Sequence, residues 1–107
     1  MDIKDLLKEL KKGIVGLIKD KFDVESKEVK DEISTLLKQS KEKLTRWSEL
    51  MNDGQLTPDE FRWLVGSQRD LLKLESLRKL GVSQIKLGHF KSKVIEFIVE
   101  TTVKFIF

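Results

Sequence analysis

Cysteine is absent from the 107 residues, which excludes a disulfide framework and any cysteine-based zinc site. Tyrosine is absent too, and histidine occurs once, as His89. A lone histidine with no acid beside it in sequence is a poor start for general acid–base chemistry. Gly13-Ile14-Val15-Gly16 lacks the Lys-Ser/Thr that completes a phosphate-binding loop. The adjacent carboxylates Asp31-Glu32 and Asp59-Glu60 point apart on a helix. No catalytic, cofactor-binding or metal-ligating residue follows from these patterns, so the chain is expected to be no enzyme, with no cofactor and no small-molecule substrate. Long apolar runs are missing as well. The longest, Gly13 to Ile18, falls far short of the roughly 20 residues that cross a bilayer. The start, Met1-Asp2-Ile3-Lys4-Asp5, is charged and lacks the apolar h-region of a secretory signal, and the expected location is cytoplasmic.

What the chain does contain is helical periodicity. Charged residues make up 36% and apolar residues 39%, a balance typical of a helical domain and too apolar for a disordered tail. The expectation is all-α: one domain over 1–107, a small bundle of three to four helices with a central antiparallel hairpin and an apolar C-terminal helix. The helices are expected at about 2–22, 26–51, 58–80 and 83–107. The first places Ile3, Leu6, Leu7, Leu10, Ile14, Leu17 and Ile18 on one stripe, with Gly13 and Gly16 open to close helix approach. The second repeats Val29, Ile33, Leu36, Leu37, Leu44, Trp47 and Met51, and the third turns Phe61, Leu64, Val65, Leu71 and Leu72 inward. Leu74, Leu77 and Leu80 leave that third stripe, so a bend or a second buried face is expected there.

The breaks between helices are marked by residue type. Asn52-Asp53-Gly54 stops the second helix, and Thr57-Pro58-Asp59-Glu60 can open the third with a capping box. From Asp53 to Phe61 the chain also resembles the second half of an EF-hand calcium loop. That resemblance puts Gly54 at the sharp turn, Leu56 at the apolar position and Glu60 at the closing ligand. Its first half departs from the pattern: Glu49 stands at the opening ligand, and Met51 puts a thioether where a hard cation wants oxygen. The capping box accounts for the same residues without a metal, and no metal site is expected.

The last helix is the most informative. Phe90, Val94, Phe97, Ile98, Thr101 and Phe105 line one face, Ile95, Val99, Thr102 and Ile106 widen it, and only Lys93, Glu96, Glu100 and Lys104 keep a polar stripe. That arc is too wide for an ordinary surface helix. The favoured expectation is a non-catalytic interaction or assembly module, meeting a protein partner or a second copy of itself through Phe90, Val94, Phe97, Ile98, Phe105 and Ile106.

Charge supplies the alternatives. Residues 1–53 carry twelve basic and twelve acidic side chains, so the net charge of +3 lies wholly in the second half. Arg62 to Lys93 is strongly basic, and Arg69, Arg78, Lys79, Lys86, Lys91 and Lys93 are candidate contacts for an anion or nucleic acid. Leu80-Gly81-Val82-Ser83, with Leu87 and Phe90 after it, resembles the turn and recognition helix of helix-turn-helix DNA-binding proteins. That resemblance implies Gln84, Lys86 and His89 toward a major groove and Lys91 and Lys93 near phosphate. Leu77 and Gly88 depart from the pattern. An anionic membrane is the remaining alternative partner, through the lysine-bearing first helix and the aromatic last one.

Overall fold

The computed structural model describes residues 2–68 and 73–107. Among the described residues there are five α-helices and no strand: α1 (Ile3–Phe22), α2 (Lys27–Asn52), α3 (Pro58–Ser67), α4 (Glu75–Lys79) and α5 (Gln84–Ile106). The protein is all-α. Four of the helices begin at a side-chain cap that satisfies an otherwise orphaned N–H. Asp2 accepts from the Lys4 N–H at 2.9 Å, and Ser26 and Ser83 accept from Val29 and Lys86 at 3.2 Å each. At α3 the capping box is complete. The Glu60 N–H donates to Thr57 Oγ1 at 3.1 Å, and the Thr57 N–H donates to Glu60 Oε1 at 3.0 Å. The carboxylate that the calcium-loop resemblance would use as closing ligand thus serves its own helix start.

Helix α1 packs along both α2 and α5, while α4 rests on α2. Helix α3 lies chiefly against α5 and only touches α2, although the sequence points to a hairpin between the second and third segments. The reason is the larger apolar surface of α5, reinforced by a clamp. Arg62 on α3 reaches Glu96 on α5 through Nε–Oε1 at 2.7 Å and Nη2–Oε2 at 3.3 Å, with Asp59 holding Nη1 at 2.7 Å. Glu96 first, then Asp59, raises the pKa of Arg62 above its ordinary value. The link between α1 and α2 is fixed similarly. Glu25 lies 3.3 Å from Lys19 and 3.7 Å from Lys30, and these lysines, Lys19 foremost, hold its carboxyl below the usual range.

The expected helix over 58–80 is instead two helices. Helix α3 ends at Ser67, and α4 starts at Glu75 after Leu74 in the left-handed region, φ 47° and ψ 51°. Gly66-Ser67 is a weak helical ending. Continued straight, the helix would also carry Leu74 and Leu77 roughly opposite Phe61 and Val65. The break swings both leucines into the core, where they are 1% and 0% exposed. A left-handed leucine costs roughly 1–2 kcal/mol, whereas burying two leucines contributes about 1.5–3 kcal/mol each. Burial wins. Leu74 has no side-chain cap to offer α4, so α2 supplies one. Glu32 accepts from Ser76 Oγ at 2.5 Å and from the Ser76 N–H at 3.2 Å.

Ile14, Ile33, Leu74, Val94 and Ile98 meet at the centre, so α1, α2, the segment before α4 and α5 all contribute to one core. Leu10, Ile18, Leu37, Leu44, Phe61, Val65 and Phe90 are buried as their stripes imply, while Leu7, Leu64, Trp47 and Phe97 are half-buried. Leu71 and Leu72 lie outside the described residues. The two glycines of α1 differ. A Cβ on Gly13 would fall 1.9 Å from Phe97 Cζ, whereas one on Gly16 would meet nothing within 4 Å. Gly13 is what lets the Phe97 ring lie against the α1 backbone.

Three outcomes are expected from denaturant unfolding. Gly13→Ala destabilises by about 1–3 kcal/mol because the Phe97 ring must move, while Gly16→Ala stabilises by up to about 1 kcal/mol through helix propensity. Leu74→Ala costs about 2–5 kcal/mol, the loss of an enclosed leucine rather than of one on an outer helix face.

Candidate binding surface

The arc of α5 is mostly spent inside the molecule. Phe90, Val94 and Ile98, expected to meet a partner, are each 1% exposed and belong to the monomer's own core. Their burial follows from α1 and α3 covering α5 from two sides. Phe97, Phe105 and Ile106 are half-buried, Phe97 against Gly13 and the other two beside Ser48, Glu49 and Asn52 at the end of α2. The large apolar side chains left exposed here are Ile85 at the start of α5 and Phe107 just past its end.

The basic residues of the second half divide. Arg69 lies outside the described residues. Arg78 pairs with Glu75 at 3.2 Å and Lys79 with Glu28 at 3.6 Å, which partly neutralises both. Lys86, Lys91 and Lys93 form no ion pair among the described residues. Arg78 and Lys91 line one shallow groove between α4 and α5 with Gln84 and Gly88, while Lys86 and Lys93 stand outside it. The helix-turn-helix resemblance is met in part. Gly81 takes a left-handed turn at φ 91°, Leu87 and Phe90 are buried, and Gln84, Lys86 and His89 are exposed. The helix before the turn, however, has only the five residues Glu75–Lys79, because the chain breaks at Leu74 to bury it.

A concentration of one charge lies elsewhere, between α1 and α2. Lys4, Lys8 and Lys11 of α1 and Lys38 and Lys41 of α2 line a groove of about 290 Å³ with Leu7, Leu37 and Ser34, and no acid is among its lining residues. None of the five lysines has an ion-pair partner among the described residues. The geometry follows from helix periodicity. Lys4, Lys8 and Lys11 stand at i, i+4 and i+7 on one stripe, and Lys38 and Lys41 stand three apart on the facing helix. The acids of the same stretch of α1 are not in that lining: Asp5 and Glu9, with Thr101, Lys104 and Phe105 of α5, line an adjoining hollow that Lys8 borders as well. Summing charge over residues 1–53 conceals this separation. The spacing of the lysines was the available signal.

The groove presents cationic groups on both walls over an apolar floor. Lysine ammonium groups are strongly hydrated point charges that attract an anion without fixing its orientation as a guanidinium fork would. Among the described residues, no group of three or more His, Asp or Glu side chains could hold a metal, and no helix is long and apolar enough to cross a membrane. The chain matches no protein-family model, no curated protein and no solved structure.

Core and surface roles separate by measurement. Ile98→Ala lowers unfolding free energy by about 2–5 kcal/mol, as expected for an enclosed side chain. Paired substitution of Lys8 and Lys38 by Gln leaves it within about 0.5 kcal/mol, since both are exposed.

Proposed function

We propose that the chain is a non-catalytic helical interaction module, and that its recognition surface is the lysine-lined groove between α1 and α2. The observation that carries this reading is the gathering of five lysines, none ion-paired among the described residues, over an apolar floor with no acid in the lining. Like charges at i, i+4 and across a groove repel and cost the isolated domain some stability. An anionic partner relieves that repulsion on binding and is drawn in by the field. The apolar C-terminal helix then acts mainly as the packing surface on which α1 and α3 are held, which supports the groove rather than forming the contact. On this reading the module works without cofactor or small-molecule substrate, as a cytoplasmic binding protein.

A second reading places nucleic acid at the start of α5, where Gln84, Lys86 and His89 are exposed beside Lys93. It has the weaker footing, because the supporting helix α4 is five residues long. Fluorescence anisotropy with labelled polyglutamate at low salt separates the two. Lys8→Glu with Lys38→Glu is expected to weaken binding roughly tenfold or more, in line with the loss of several charge contacts. Lys86→Glu with Lys93→Glu is expected to leave it within about twofold. The reverse pattern would move the anion site to α5 and overturn the proposal.

A further inference from the structure

We infer that the occupant of the α1/α2 groove is an acidic amphipathic helix of a protein partner. This rests on the anion-binding reading above and goes beyond it by naming the class of partner. The first ground is charge. Three lysines on one wall and two on the other flank the groove on both sides, so a fitting rod carries carboxylates along both of its edges. The second is the floor. Leu7 and Leu37 lie among the lysines, Leu7 half-buried and Leu37 only 4% exposed, so the floor open to an occupant is chiefly Leu7. An occupant that offers only charge leaves that floor without an apolar counter-surface, whereas an amphipathic helix covers it. Scale agrees: Lys4 to Lys11 spans about 10 Å along α1, close to two turns of a partner helix.

The backbone of the occupant is constrained as well. Both walls are helices whose own N–H and C=O groups are already paired along their lengths, so an extended peptide would find no main-chain partners over the leucine floor. A helix brings its backbone hydrogen bonds with it. Nucleic acid fits less well, since no aromatic side chain lines the groove for base stacking and no arginine is present for bidentate phosphate contact. A membrane fits less well for a different reason. The large exposed apolar residues, Trp63, Leu80, Ile85 and Phe107, are all outside the groove, so its lining offers a headgroup layer no fully exposed apolar side chain to insert.

The test uses the full chain and four labelled probes at two salt concentrations. One is a designed helix with leucines at i, i+4 and i+7 flanked by glutamates, and the second is a peptide of identical composition with the leucines scattered. The others are a short DNA duplex and phosphatidylserine vesicles. The expected result is at least tenfold tighter binding of the amphipathic peptide than of the scattered one, with helical circular dichroism gained by the peptide on binding. Ser34→Glu, which keeps every lysine but adds a carboxylate to the lining, should weaken that binding several-fold with the thermal midpoint little changed. Equal affinity for the two peptides would overturn the inference while leaving an anion-binding groove. Tighter, Lys8- and Lys38-dependent binding of DNA or vesicles would overturn it in favour of that other partner. No binding of any acidic probe at low salt would overturn both the inference and the reading beneath it.

Discussion

The wide apolar arc of α5 is the constraint from which most of the architecture follows. A helix with so little polar circumference must be covered on more than one side, and no single neighbour is broad enough. Helix α1 takes one side, and its backbone comes close enough at Gly13 to place the Phe97 ring against it. Helix α3 takes another, with Phe61 and Val65 inward and the Arg62–Glu96 clamp at its edge. The break before α4 belongs to the same demand. Turning Leu74 left-handed is locally unfavourable, yet it delivers two leucines to the centre and is offset by their burial.

Closing the core this way also sorts the charges. Several acids are engaged in joints between elements: Glu25 between α1 and α2, Glu28 and Glu32 between α2 and α4, and Glu96 between α5 and α3. Asp2 and Glu60 are taken up by helix starts. The lysines on the outer side of the α1/α2 contact have no such role, and they remain as a positive surface over two leucines. A chain whose first half sums to zero charge therefore presents a strongly one-signed groove. Net charge describes the sequence, while local charge depends on which acids the packing has occupied.

Where local physics decides, the residues are a direct guide to the structure. The capping box of Thr57 and Glu60, the stop at Gly54 and the inward stripes of α1 and α2 depend on neighbours three or four residues apart, and each stands where the pattern puts it. Where distant segments compete, they guide less well. Phe90, Val94 and Ile98 read equally as core or as contact surface, because a stripe carries no label for what covers it. The helix over 58–80 read as continuous because nothing local at Leu74 forbids it; the gain that breaks it lies in contacts with α1, α2 and α5.

The sequence by itself thus determined an all-α chain, the starts of its four longer helices and most of its buried faces, since these rest on short-range hydrogen bonds and a 3.6-residue period. Only the tertiary structure decided that α5 is enclosed, that α3 favours α5 over α2, and that Lys4, Lys8 and Lys11 face Lys38 and Lys41 across one groove. Two stripes about thirty residues apart become one surface only when their helices pack against each other in a particular register. That register is set by the fit of the whole core.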